Sequence, residues 1–117
     1  MLSEIQPFQV ERPWGNFRQF NLNSLVTVKI VTVKENESLS LQSHSKRAEF
    51  WRVIEGSGTI EIEDKKHNAK VGNEYNVPLG AKHRAIAGSS GLAFLEIDTG
   101  VFEEHDEVRY EDEYGRA

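Results

Sequence analysis

Phe50-Trp51-Arg52-Val53-Ile54-Glu55-Gly56-Ser57-Gly58-Thr59-Ile60-Glu61-Ile62-Glu63 is the stretch that decides the fold. Aromatic and β-branched residues fill it, and its apolar positions recur at period two, so it reads as strand. Two strands, 50–55 and 59–63, are expected on either side of Gly56-Ser57-Gly58, a turn signal. Upstream, Ser38-Leu39-Ser40-Leu41-Gln42-Ser43-His44 alternates cleanly, and the polar residues around Asn36-Glu37 form a turn before it. Leu25 to Val33 is mostly apolar and predicts a well-buried strand. Downstream, Asp64 to Asn68 reads as a loop tip, and Val71 to Val77 leads into the turn Pro78-Leu79-Gly80. His83 to Ala87 is short and extended, Gly88-Ser89-Ser90-Gly91 is a turn, and Leu92 to Asp98 is a final core strand. No window carries a helical period. Short strands about ten residues apart with Gly-rich turns predict an all-β sandwich or barrel.

Composition narrows the function. The 117 residues fit a single domain, 1–117, with a core of its own. There is no cysteine, so disulfides, thiolate metal sites and thiol catalysis are excluded. The balance of 14 Lys+Arg against 19 Asp+Glu argues against nucleic acid as a partner, which needs a surplus of cations. No apolar run approaches the roughly 18 residues of a membrane span, and residues 1–15 lack a signal-peptide pattern, so no membrane partner and a cytoplasmic location are expected. Residues 1–15, with Pro7, Pro13, Trp14 and Gly15, predict an extended arm on the barrel. Residues 103–114 carry most of the negative charge, and a solvated run competes there with a packed segment.

Four histidines remain as titrating or metal-binding groups. On a strand, Gln42 and His44 share a face with Ser40, and Leu39 and Leu41 take the other. If the next strand begins near Glu49, then Glu49, Trp51 and Val53 share one face. The turn Pro78-Leu79-Gly80 delivers His83 onto a following strand. A divalent cation of intermediate softness accepts imidazole nitrogen and carboxylate oxygen at about 2.0–2.2 Å, and Gln42 offers a neutral amide oxygen. His67 and His105 are expected to be exposed and without function, and Arg84 to point away from His83.

The motifs Gln42-x-His44-x4-Glu49, Gly56-x-Gly58 and Pro78-x-Gly80-x-x-His83 resemble the paired motifs of the cupin superfamily, with Gln42 in place of the usual first histidine. Arg12-Pro13-Trp14-Gly15-x-Phe17, Leu41-Gln42-Ser43-His44-x-x-Arg47-Ala48-Glu49-x-Trp51, Pro78-x-Gly80-x-x-His83-Arg84, Leu95-Glu96-Ile97-x-x-Gly100 and Glu111-Asp112-x-Tyr114-Gly115-Arg116 resemble the type II mannose-6-phosphate isomerase domain. That domain is usually fused behind a mannose-1-phosphate guanylyltransferase, of which no part is visible here. The resemblance implies a jelly-roll barrel (the cupin double-stranded β-helix) with an N-terminal arm and an ordered acidic C-terminal segment, 101–117. It implies one divalent metal ion, of which Zn, Mn, Fe, Co and Ni are candidates, held by Gln42, His44, Glu49 and His83. It also makes Arg47 a residue needed for activity. The family's further histidines, in a pattern like H-H-H-R-x-E-H, are replaced by Ser45, Lys46 and Phe50, while the four metal ligands remain.

The implied reaction is aldose–ketose isomerisation of a hexose phosphate, mannose-6-phosphate to fructose-6-phosphate. The metal acts as electrophile, Arg47 and Lys46 hold anionic oxygens, Arg12 is a further phosphate contact, and Trp51 walls the site. The base is left open between a group on the metal and an unassigned carboxylate. Two other readings share these residues: a non-haem iron oxygenase built on His44, Glu49 and His83, and a non-catalytic module binding a sugar or sugar nucleotide. The apolar row Leu39 and Leu41, facing outward, predicts a homodimer.

Overall fold

The computed structural model describes residues 4–103 and 105–112. All regular structure among them is β, and no helix is long and apolar enough to cross a membrane. The strands are β1 (Phe8–Arg12), β2 (Gly15–Gln19), β3 (Val26–Val33), β4 (Leu41–Ser43) and β5 (Arg47–Ile62). They continue with β6 (Lys65–Lys70), β7 (Glu74–Val77), β8 (His83–Gly100) and β9 (Val108–Glu111).

The long strands β5 and β8 pair antiparallel along their length and belong to two sheets at once. Their ends near Glu49 and Asp98 are flanked by β7 and β3. Their ends near Ile60 and Ala85 are flanked by β6, and by β4 with β9 beyond it. The pairing shifts register between Val53 and Glu55 and between Gly56 and Gly58, where both strands bend from one sheet into the other. The glycines read as turns are therefore bends inside continuous strands. A Cβ on Gly56 would lie 2.1 Å from the Gly91 carbonyl oxygen, and one on Gly58 would lie 2.1 Å from that of Ile86. The crossing works because those side chains are absent.

Inside the barrel, Trp51, Val53, Ile60, Leu92 and Phe94 form the main core, with Trp51 and Phe94 stacked at 4.3 Å. Period two places the alternate residues outside. There Phe50 and Ile97 form a second, smaller cluster capped by Ile5, with Phe20, Val26 and Leu95 against it. Each fully buried side chain of this size contributes about 1.5–3 kcal/mol.

Several expectations are corrected. β3 is an edge strand paired only with β8 among the described residues, so it is not well buried: Val28 is 55% and Ile30 61% exposed. The strand expected over 38–44 shrinks to one bridge at Ser38 and the three residues of β4. The loop at 64–68 is only the turn Glu63-Asp64, with Glu63 at φ 57°, so His67 sits half-buried on β6 with its ring 5.3 Å from Tyr75. The N-terminal arm is a hairpin of β1 and β2, tied to β7 by Arg18, which donates two hydrogen bonds to Glu74 at 2.6 and 2.7 Å. Within the acidic segment, β9 pairs with β4, so its backbone is ordered while its four residues stay exposed to solvent; the expected ending Tyr114-Gly115-Arg116 lies outside the described residues.

Candidate metal centre

One polar cluster lies at the barrel end where β4, β5 and β8 meet. β5 brings Glu49 and Trp51 to the interior on alternate positions, with Phe50 turned outward between them. β8 starts at His83, and β4 ends just before His44, so the two imidazoles approach from neighbouring strands, ring centroids 5.0 Å apart. His44, Glu49 and His83 each offer a ligand atom, all within 4.8 Å of one another, and all three are buried. His44 Nε2 is 3.1 Å and His83 Nε2 3.7 Å from the Glu49 carboxylate.

The hydrogen bonds behind this trio set its chemistry. His44 Nδ1 donates to the Asp106 carbonyl at 2.7 Å, and His83 Nδ1 donates to the Ala81 carbonyl at 2.9 Å. A carbonyl only accepts, so each Nδ1 carries the hydrogen; Nε2 carries the lone pair when the ring is neutral or metal-bound, and a second proton when His44 is charged and bonds Glu49. Trp51 Nε1 donates to Glu49 Oε1 at 2.8 Å, and Arg47 Nε donates to Oε2 at 3.1 Å. Arg47 Nη2 also approaches His44 Nε2 at 3.1 Å. Two imidazole lone pairs and one oriented carboxylate, all below 10% exposure, are the donor set a divalent cation of intermediate softness takes. Burial opposes the charge of Glu49, but His44, His83 and Trp51 outweigh it and hold the carboxyl at about 2. Burial likewise opposes protonation of His44, where Glu49 and the Asp106 carbonyl prevail and raise its pKa. At His83 burial wins and lowers it.

The trio opens into a cavity of about 160 Å³ lined also by Lys29, Gln42, Arg47, Trp51, Glu96 and Phe102. A larger hollow of about 470 Å³, beside Gly91, is lined by no histidine and lies away from this chemistry. Gln42 lines the cavity, and its amide nitrogen donates to the Ser40 carbonyl at 3.4 Å, a bond that leaves the amide oxygen unused. Arg47 is a buried cavity residue stacked on Phe102 at 4.3 Å, not a solvated turn residue. Trp51 is core and site wall together.

Two expected substrate contacts are not gathered here. Lys46 is exposed and turned to Glu103 at 2.9 Å. Arg12 lies on the N-terminal hairpin over the Phe17 ring, outside the cavity lining. Leu39 is also misjudged by strand parity: it lines the same cavity as Gln42 and His44, and residues 39 and 40 lie outside the strands, so strict alternation does not run through them. Arg84, as expected, points away, to Glu61 and Glu111.

Sequence reasoning missed three residues. Asp106 presents its carbonyl to His44, and its carboxylate accepts from the Ser45 and Lys46 backbone N–H groups at 2.9 and 2.7 Å. The Ser45 hydroxyl and those N–H groups pull the Asp106 carboxyl down to about 2. Glu96 and Asp98, inward on alternate positions of β8, are 5% and 1% exposed. As two carboxylates, Glu96 Oε2 and both Asp98 oxygens lack a hydrogen-bond partner among the described residues, whereas one proton between them makes a bond. Burial first, then Glu49, pushes Glu96 up to about 9, and burial raises Asp98 as well. The period-two run Phe94-Leu95-Glu96-Ile97-Asp98 held the signal: two acids on the inward face of a core strand.

Comparison with known proteins agrees with this architecture. The family model described as mannose-6-phosphate isomerase C-terminal matches residues 3–112. The mannose-1-phosphate guanylyltransferase ManC of Salmonella typhimurium is 37% identical over 111 residues, 93% of this chain but 23% of the relative. The chain thus spans less than a quarter of the length of that curated relative. Among solved structures, a single-residue variant of the oxalate decarboxylase of B. subtilis superposes with a TM-score of 0.67 at 24% identity, over 75% of this chain and 25% of that one. A cupin-2 domain from Rhodospirillum rubrum gives 0.67 at 13% identity, over 92% and 76%. The fold is the cupin barrel.

Proposed function

This chain belongs to the mannose-6-phosphate isomerase C-terminal family, and on that premise we propose that it is a metal-dependent aldose–ketose isomerase interconverting mannose-6-phosphate and fructose-6-phosphate. The observation that carries the reading is the inward convergence of His44 Nε2, His83 Nε2 and the Glu49 carboxylate on one cavity. His44, Glu49 and His83 would hold the ion, with the Gln42 amide oxygen as fourth ligand. A divalent ion there supplies Lewis-acid polarisation of the sugar carbonyl.

The protein's own residues do the rest. Trp51 fixes Glu49. Arg47, permanently charged, meets anionic oxygens from the cavity wall. Lys46 shares an exposed pair with Glu103, which is worth little and leaves its ammonium free to turn to a phosphate. Arg12 reaches a substrate only if the hairpin approaches the cavity.

The replaced family histidines bear on the choice between enzyme and binding module. Phe50 packs with Ile97 and Ile5 on the far side of β5, and Ser45 and Lys46 are exposed beside Asp106. None of the three lines the cavity, so these replacements take no side chain out of it. This supports catalysis over a non-catalytic module.

Metal analysis of the purified protein, with a coupled assay for the two hexose phosphates, tests the reading. His44→Ala is expected to lose metal, and Gln42→Ala and Arg47→Ala to lose turnover, by about 100-fold or more where the electrostatics of the reacting oxygens are removed. Unchanged turnover in all three variants removes the scheme. Turnover that needs oxygen and iron points instead to an oxygenase.

A further inference from the structure

Three carboxylates line the cavity: Glu49, Glu96 and Glu107. Glu49 has both oxygens committed, Oε1 to Trp51 and Oε2 to Arg47 and His44. Glu107 is held by Arg109 at 2.6 Å. Glu96 alone keeps a buried oxygen, Oε2, without a hydrogen-bond partner among the described residues, and Lys29 Nζ lies 3.4 Å from it on the same wall. Lys29 in turn rests over the Phe102 ring at 4.4 Å, which keeps its ammonium beside the cavity although its side chain is 39% exposed.

Resting on the isomerase reading, we propose that Glu96 carries the proton between the two sugar carbons and Lys29 the proton between the two sugar oxygens. In the aldose-to-ketose direction Glu96 starts as the carboxylate, with the proton it shares with Asp98 resting on Asp98, and takes the C2 hydrogen as a proton. The C2–H electron pair becomes a C1–C2 double bond, and the carbonyl pair moves onto O1, which takes a proton from the Lys29 ammonium. The Lys29 amine then takes the O2 proton, the O2 pair forms the new carbonyl, and the double-bond pair takes the proton back from Glu96 at C1. Every atom and charge is restored, and no oxidant, reductant or further reactant enters. Asp98, behind Glu96 and 1% exposed, does not line the cavity and serves to position it.

The test uses the full chain loaded with one divalent metal, fructose-6-phosphate as probe and deuterated solvent. Deuterium entering C1 or C2 is read by NMR beside the coupled assay, metal content and calorimetric binding. The wild type is expected to interconvert and to exchange. Glu96→Gln is expected to lose both by about 100-fold or more, with metal per chain unchanged and binding kept within about threefold, a loss in kcat rather than KM. Lys29→Met, at a half-exposed position that tolerates change, is expected to slow interconversion while keeping metal. Exchange within about threefold of wild type in Glu96→Gln overturns the proposal while leaving the isomerase reading intact. So does loss of metal with activity, which makes Glu96 a ligand. A wild type that holds metal and sugar phosphate but neither interconverts nor exchanges overturns the isomerase reading and this one with it.

Discussion

Glu49 illustrates how much of this site depends on groups that touch no substrate. Its carboxylate faces the imidazoles because Trp51 Nε1 holds one oxygen at 2.8 Å. Partners of this kind behind a metal ligand change affinity by about 10–100-fold. Trp51→Phe is therefore expected to weaken metal binding by about that factor while keeping the fold, since the ring still stacks on Phe94; a chelator-competition titration reads it. Glu96 gives a second prediction, for the metal-free protein. Its carboxyl is pushed from 4.5 up to about 9 in the folded state, so between those values the folded chain holds more protons than the unfolded one. Its contribution to stability is full below pH 4.5 and is lost as pH rises toward about 9. Glu96→Gln, which mimics the protonated acid, is expected to flatten the fall in stability between about pH 5 and 8. Urea midpoints at both pH values measure it, and parallel slopes for the two proteins count against it.

At the scale of elements, the decisive features are the bends of β5 and β8. Each strand runs through glycines that would end a strand in an ordinary hairpin, because the partner backbone crosses where a Cβ would sit. Gly56 adds φ +76°, which an L side chain rarely adopts. Gly56→Ala is expected to destabilise the fold by about 2–3 kcal/mol, seen as a lowered urea midpoint. A neutral result would mean that the corner relaxes freely. The bends also explain which site residues were legible. Period two alone places Glu49, Trp51 and Val53 on one face, since β5 is regular there. It misplaces Leu39, because residues 39 and 40 lie outside any strand and the alternation restarts only at β4. Asp106 was invisible, because its role is a main-chain carbonyl and a capping carboxylate on a segment 62 residues from His44.

For the whole molecule, the apolar surface lies elsewhere than the sequence suggested. The outward row expected at Leu39 and Leu41 does not exist as such, since Leu39 lines the cavity. Val28 and Ile30 of the edge strand β3 are exposed instead, at 55% and 61%. The homodimer stands as a proposal on that face, where an open strand edge and exposed apolar side chains coincide. Ile30→Glu is expected to shift the protein from dimer to monomer in sedimentation equilibrium; a wild type that is monomeric at micromolar concentration ends the proposal.

Period-two patterning and turn residues determined the all-β class by themselves, because alternation is a property of the single strand. Residue types at set spacings likewise singled out His44, Glu49 and His83, because metal ligation restricts side-chain chemistry before it restricts geometry. Only the tertiary structure decided that glycines bend the strands, that Leu39 enters the cavity, and that Glu96 and Lys29 face each other within it. Those outcomes depend on cross-strand register and on neighbours far along the chain, and neither is written in local sequence.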